Sequence, residues 1–353
     1  MRIAFLVWNK FQINHFSKLF HLFDDVTLII ERRDANDEMF TPEELASIKI
    51  NKLYVHKNKI KNIDGLFDMI FCQTVFPQIE HITKSKIAMM QYGLAKENHN
   101  YGTWRSFADV IFSYGDYSKE KLSYFAPSFN VGHPNAIYLN DEEKKSLKIN
   151  MPLDLTKKTI LYSPTWGDLS SFELFFSEIE YLGAEYNVIL KLHHNTMVPD
   201  FIHGANVINA TDKSLCDLIQ ISDLVISDYS GAIFDAMFFH KPIVLCQHLK
   251  INENEKVGFD SAEFYMAKEI GRVATSPNEL KKVVSDTFVE KHDTSLIRGL
   301  FFSEITDEES SNIIKKAVVD CVGGFVNKSQ GQRFVEQLAR LERKERFLLK
   351  KKI

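Results

Sequence analysis

Long apolar runs are missing from this chain. No stretch of its 353 residues approaches the roughly 20 apolar residues that a bilayer-spanning helix needs. The N-terminal run Ile3-Ala4-Phe5-Leu6-Val7 is too short for a secretory signal and reads as a first buried strand. Cysteine is scarce as well. Cys72, Cys216, Cys246 and Cys321 stand far apart with no Cys-x-x-Cys pair and no metal-ligand spacing. They read as buried free thiols in a reducing cytoplasm. The 12 histidines form no His-x-x-x-His pair and no Asp-x-Asp stands out, so no metal and no cofactor is expected. An excess of either charge is also lacking. The net charge of -4 argues against a nucleic-acid partner.

What is present suits a globular α/β protein. The length favours two domains over one core. The 28 phenylalanines read mainly as core. Short apolar runs at 2–7, 26–30, 51–55, 68–72, 86–90 and 109–113 alternate with helical patterns in the first half. Runs at 159–162, 187–192, 205–208, 223–227, 243–246 and 271–274 do the same in the second. Such alternation predicts parallel sheets covered on both faces, and two series predict two Rossmann-like halves. The polar segment 139–157, which carries Pro152, reads as the link. The expected domains are therefore 1–150 and 151–326, followed by a tail at 327–353. A helix is expected at 307–322.

The most informative stretch is ISDLVISDYSGAIFDAMFFHKPIV, residues 221–244. Leu224-Val225-Ile226 is strand-like, Ser227-Asp228-Tyr229-Ser230-Gly231 is a polar turn, and Ala232 opens a helical pattern that Lys241-Pro242 ends. A Ser/Gly turn that opens onto a helix presents backbone N–H groups and favours a phosphate. The same residues would also make an ordinary helix cap at Ser230. Thr165 and Trp166 follow another strand end, where open α/β sheets bind ligands. Trp166 would serve equally well in packing.

These segments resemble the CDP-glycerol glycerophosphotransferases, the teichoic-acid and capsule polymerase group. The stretch 222–244 is similar to that family's C-terminal signature. Val131-Gly132-His133-Pro134-Asn135 resembles its Gly-Tyr-Pro-Arg-Asn turn, and Ile160 to Trp166 resembles its Leu-Tyr-Ala-Pro-Thr-Trp segment. Val188 to His194 resembles its strand ending in Arg-x-His-Pro. The resemblance covers roughly residues 85–320. It implies a GT-B-like fold, two Rossmann-like domains facing a central cleft. It also implies transfer of a phospho-alcohol unit from a CDP-activated donor to a surface-glycan or lipid-linked acceptor, with release of CMP.

On that resemblance Ser227, Asp228, Ser230, Gly231, Ala232, Thr165 and Trp166 bind the nucleotide, and Asp235 holds its ribose. His193 aligns with the family histidine at the donor phosphates, with His194 at a proline position. The family carries Trp-His-Gly-Thr-Pro-Leu-Lys after a first-domain strand, and its histidine is the proposed base. This chain has Gln91-Tyr92-Gly93-Leu94-Ala95-Lys96, so Tyr92 replaces the histidine and Lys96 stands near the lysine. A tyrosine, with a pKa near 10, is a poor base at neutral pH. The role then falls to Glu97, His99 or His133, with His133 the first choice. Two other readings stay open: a nucleotide-sugar glycosyltransferase on the same scaffold, and a non-catalytic partner in glycan assembly.

The tail differs from the rest of the chain. Phe334, Leu338, Leu341 and Leu348 fall near helical spacing, and seven Lys or Arg against two Glu lie between 340 and 352. A basic amphipathic helix of this kind suits a membrane surface. The expected location is cytoplasmic, peripheral at the inner face of the cell membrane. A terminal helix docked on the protein body would show the same pattern.

Overall fold

The computed structural model describes residues 1–33, 40–133, 136–193, 196–200, 202, 206–248, 257–258, 260–290 and 292–350. The chain divides into two compact units. The first comprises Met1–Tyr92, Tyr101–Asn135 and Leu300–Ile353; the second comprises Gly93–Asn100 and Ala136–Gly299.

Among the described residues, the first unit holds strands β1 (Arg2–Val7), β2 (Asp25–Arg32), β3 (Asn51–His56), β4 (Met69–Cys72), β5 (Lys86–Met90), β6 (Val110–Ser113) and β7 (Ser128–Asn130). They form one parallel sheet in the order β3-β2-β1-β4-β5-β6-β7. The second unit holds β8 (Thr159–Tyr162), β9 (Asn187–Leu190), β10 (Ile208–Asn209), β11 (Leu224–Ser227), β12 (Ile243–Cys246) and β13 (Arg272–Ala274). They form a second parallel sheet in the order β10-β9-β8-β11-β12-β13. The strand order reverses between β1 and β4 and again between β8 and β11. Each sheet is thus a doubly wound Rossmann type, with a switch point at the carboxyl ends of its central strands.

The central strands are apolar on both faces because helices cover both sides. β4, β6, β8, β9, β11 and β12 are buried at every position. Each fully buried large apolar side chain contributes about 1.5–3 kcal/mol. Phe5 stacks on Phe71 with ring centroids 4.8 Å apart, and Phe71 stacks on Phe112 at 6.1 Å, which ties β1, β4 and β6 on one face.

All twelve expected runs contain or border a strand, although position 205 of the run at 205–208 lies outside the described residues. β7 was not legible. It is a three-residue strand, Ser128-Phe129-Asn130, half-buried throughout and paired on one side, to β6. An edge strand this short needs no apolar run. The expected boundary at 150 falls inside the second unit, whose longer segment begins at Ala136. The segment read as a link holds a helix, Asp141–Ile149, closed by a capping box between Asn140 and Glu143. Gln220 accepts the Leu139 N–H at 2.8 Å and donates to the Ile137 carbonyl at 2.9 Å, which ties this stretch to the second unit.

The chain returns to the first unit at Leu300. Phe301 lies against Gly115, where a Cβ would meet the Phe301 carbonyl oxygen at 2.5 Å, and its ring packs on Tyr117 at 4.6 Å. The expected helix follows at Asp307–Val322, capped by Thr306 and Glu309. Its Ile314, Ala317, Val318 and Cys321 join the core cluster that contains Val110 and Phe112. The tail forms a helix at Gln330–Lys350, within the first unit. Residues 351–353 lie outside the described residues.

Candidate nucleotide site

The switch point of the second sheet brings together several of the residues singled out in the sequence. Thr165 and Trp166 follow β8, the Ser/Gly turn follows β11, and His193 follows β9. Under them lies Asp228, which is 1% exposed. Its carboxylate accepts the Thr165 N–H at 2.9 and 3.1 Å, the Ser171 N–H at 2.8 Å and the Ser171 hydroxyl at 2.9 Å. The Ser171 hydroxyl is also 2.9 Å from the Tyr162 hydroxyl. Burial pushes the Asp228 carboxyl up to about 6, against the Ser171 and Thr165 hydrogen bonds and the Lys96 charge, which pull it down.

Asp228 therefore braces the Thr165 loop from below, its oxygens occupied by protein donors. Ser227 is equally internal. It is wholly buried, and its hydroxyl donates to the Ser163 carbonyl, stapling the end of β11 to the end of β8. Both had been expected to bind nucleotide, and in the structure both shape the floor of the site. Nothing in the local sequence distinguishes a polar side chain that faces a ligand from one turned inward to hold a neighbouring strand.

The turn itself is more open. Ser230 and Gly231 are half-buried, and the Ser230 hydroxyl accepts the Ala232 N–H at 3.3 Å. A Cβ on Gly231 would meet no atom of the described residues within 4 Å beyond its chain neighbours. The following helix, Ala232–Phe238, has only seven residues. Its contribution is mainly the local N–H groups of its first turn, since dipole effects act within that turn. Asp235 is half-buried one turn on, its N–H donated to the Gly231 carbonyl at 3.2 Å. Trp166 is exposed, and its ring stacks on His193 with centroids 5.7 Å apart and planes at 28°. His194 lies outside the described residues.

Lys96 joins this group although it follows β5 of the first sheet. Residues 93–100 pack with the second unit. The Lys96 ammonium donates to the Thr165 hydroxyl at 2.8 Å, and the Lys96 backbone N–H donates to Glu263 at 2.5 Å. Sequence reading missed Glu263, which stands in Ser261-Ala262-Glu263-Phe264-Tyr265 with no motif around it. Its carboxyl is pushed up to about 7 by burial and by neighbouring Glu97, against the Lys96 N–H and charge.

Tyr92 and His133 lie in the first unit. Tyr92 is exposed, its ring centroid 5.8 Å from that of His15. His15 Nδ1 lies 2.9 Å from Nε2 and 3.1 Å from Oε1 of the Gln73 amide. His15 was also missed, because its place beside Tyr92 depends on a contact between the helix Lys10–Phe16 and the loop after β5. His133 stacks on Tyr114 at 4.5 Å and on Phe302 at 5.8 Å. The glycine before it has φ +67°, and a Cβ there would meet the Ser303 carbonyl oxygen at 3.2 Å, so this turn requires glycine. Pro134 and Asn135 of the same motif lie outside the described residues.

Comparison with known proteins bears on the family and the fold. The family described as CDP-Glycerol:Poly(glycerophosphate) glycerophosphotransferase matches residues 123–320. A teichoic acid glycerol-phosphate primase of Bacillus spizizenii is 28% identical over 274 residues, which are 67% of this chain and 70% of the relative. A teichoic acid poly(glycerol phosphate) polymerase of Bacillus subtilis is 30% identical over 177 residues, 42% of this chain and 23% of the relative. A teichoic acid glycerol-phosphate transferase of Staphylococcus aureus is 30% identical over 131 residues, 34% of this chain and 32% of the relative. The chain thus spans less than half the length of the last two. Among solved structures, the wall teichoic acid polymerase TagF aligns with a TM-score of 0.64 at 17% identity, over 92% of this chain and 89% of that one. The UDP-GlcNAc 2-epimerase of Methanocaldococcus jannaschii aligns at 0.62 and 12%, over 90% and 100%. These structural matches show a shared fold. The family match extends over more than half of the sequence and takes in Thr165, Trp166, His193 and the whole turn after β11, and the chain belongs to the CDP-glycerol:poly(glycerophosphate) glycerophosphotransferase family.

Proposed function

We propose that this protein transfers glycerol phosphate, or a similar phospho-alcohol, from a CDP-activated donor to a hydroxyl of a surface-glycan or lipid-linked acceptor, releasing CMP. The observation that carries this reading is the strand-end cluster of Lys96, Thr165, Trp166, His193 and the Ser230-Gly231 turn, all in the second unit of a chain from this family. TagF, which shares the fold, has also been studied after a soak with CDPG. The reaction forms a bond from the acceptor oxygen to the glycerol-bearing phosphorus and breaks the bond from that phosphorus to the CMP oxygen. Catalysis of this kind is chiefly placement and charge stabilisation. In this reading the turn N–H groups and the Lys96 ammonium take the diphosphate, Trp166 covers the site, Asp235 holds the ribose, and His193 donates to the leaving CMP. His133 or a neighbour of Tyr92 takes the acceptor proton.

Incubation with CDP-glycerol, CDP-ribitol and a panel of nucleotide sugars tests the proposal. CMP release is the expected outcome. Release of a nucleoside diphosphate would instead favour glycosyl transfer, and release of neither would favour a non-catalytic partner. The grip is tested by Ser230→Ala, Asp235→Ala and Gly231→Ala. Beyond its chain neighbours the added methyl meets no atom of the described residues within 4 Å, so it tests crowding of a ligand. Each should weaken CDP binding by roughly five- to twentyfold in calorimetry, about 1–2 kcal/mol. Unchanged affinity in all three would place the nucleotide elsewhere.

The same reading assigns the tail helix to an anionic membrane surface. Among the described residues no helix is long and apolar enough to cross a membrane. One face of the helix Gln330–Lys350 docks on the first unit. Gln332 donates to the Ser123 carbonyl at 2.7 Å, Ala339 is buried, and the Arg340 guanidinium binds the Glu80 carbonyl and lies 5.3 Å from the centre of the Phe107 ring. Phe334, Leu338 and Leu341 point the other way, exposed by 60%, 45% and 61%. An apolar stripe turned outward beside basic residues suits a lipid headgroup layer. Leu338→Asp with Leu341→Asp should leave the fold intact and cut co-sedimentation with anionic vesicles several-fold. Binding equal to that of the unaltered protein would remove the helix as the anchor.

A further inference from the structure

Glu263 is wholly buried at the start of the short helix Ala262–Tyr265, and the reaction as proposed leaves it no part. Its Oε1 accepts the Lys96 N–H, while the carboxylate of the next residue, the buried Glu97, accepts the Ala262 N–H at 2.8 Å. Two turns of the second unit thus exchange carboxylate bonds, each side chain capping the backbone of the other. Lys96 needs such a hold. Its φ is +60°, in the left-handed region that strains a residue carrying a Cβ. Strain of this kind persists where the surroundings over-determine the conformation. From that fixed backbone the side chain reaches Thr165, whose own N–H is fixed by Asp228.

We infer that Glu263 is a positioning residue for Lys96, its carboxylate holding the strained backbone so that the ammonium stays on Thr165, where the anionic part of the nucleotide is taken. The inference rests on the nucleotide reading above. Among the described residues Glu263 Oε2 is buried with no hydrogen-bond partner, so the hold on the Lys96 N–H passes through Oε1. Among the described residues the charged groups that act on it are Lys96 and Glu97, and Gln247 donates to its backbone carbonyl at 2.9 Å. With its carboxyl near 7, Glu263 changes charge around neutral pH. The ionised form is the stronger acceptor, so the hold on Lys96 tightens as pH rises through that value.

Calorimetry of CDP with the full chain tests this, using unaltered protein, Glu263→Gln, Lys96→Met and the double variant between about pH 6 and about pH 9. For the unaltered protein, affinity should rise with pH across the neutral range. Glu263→Gln should weaken binding at the alkaline end by roughly three- to tenfold and flatten the pH dependence. In the Lys96→Met background the same change should add nothing, because the effect passes through the ammonium. If Glu263→Gln does not fold, Glu263→Asp, which keeps the charge one methylene further back, takes its place in the same cycle. Equal affinity and pH dependence in variant and unaltered protein would overturn the inference. So would an equal added loss in the Lys96→Met background, which marks a general structural effect. Unaltered protein that binds no CDP would overturn the nucleotide reading itself.

Discussion

Replacement of His193 by alanine should reduce transfer by about a hundredfold or more with folding retained, the loss typical of a donor that acts on charge developing in the transition state. The side chain stands beyond the end of β9 and is half-buried against Trp166, outside the strand core. Its removal costs its packing against the exposed Trp166 ring and leaves the buried strand core untouched. The effect should appear mainly in kcat, with the KM for the CDP donor changed only a few-fold. A His193→Ala enzyme that turns over at the full rate would leave the departing CMP to Lys96 and the Ser230-Gly231 turn alone. Trp166→Ala, measured in parallel, separates loss of the stack from loss of the imidazole.

Asp228→Ala should destabilise the protein by about 3 kcal/mol or more, because the Thr165 N–H, the Ser171 N–H and the Ser171 hydroxyl lose one buried acceptor together. Urea denaturation followed by tryptophan fluorescence would report it. A loss below about 1 kcal/mol would mean that the loop finds other acceptors. The pH dependence of stability carries a second signature of the same group. Its carboxyl sits near 6 in the folded protein against 3.8 for the unperturbed group, and that of Glu263 near 7 against 4.5. The folded state thus holds these protons more tightly than the unfolded chain does. Their contribution to stability is fully present below about pH 4 and is lost as pH rises through about 6 and 7, with a slope of up to about 1.4 kcal/mol per pH unit for each proton. Asp228→Asn should flatten the curve between about pH 4 and 6, and Glu263→Gln between about pH 4.5 and 7. Curves of unchanged slope in both variants would show that neither group titrates differently on folding.

The ladder of strands could be read in the sequence because each central strand is covered on both faces and so must be apolar along its whole length. Leu224-Val225-Ile226 and Ile160-Leu161-Tyr162 carry that requirement locally. The turns after them were legible for the same reason: a polar Ser-Gly or Thr-Trp step directly after a buried run lies at a strand end wherever the strand is placed. The sequence by itself therefore determined the fold class, the two series of strands, the helix at 307–322 and the family. Tertiary structure alone decided the rest, because the deciding contacts join residues far apart in the chain. Nothing local tells that Gly93–Asn100, which follows a first-sheet strand, packs with the second unit, or that Lys96 meets Thr165 and Glu263 there. Nothing local separates Ser227 and Asp228, turned inward on Ser163, Thr165 and Ser171, from Ser230 and Gly231, which stay open. The tail shows the same limit: its spacing predicted an amphipathic helix, and only its docking through Gln332, Ala339 and Arg340 left the apolar stripe facing outward.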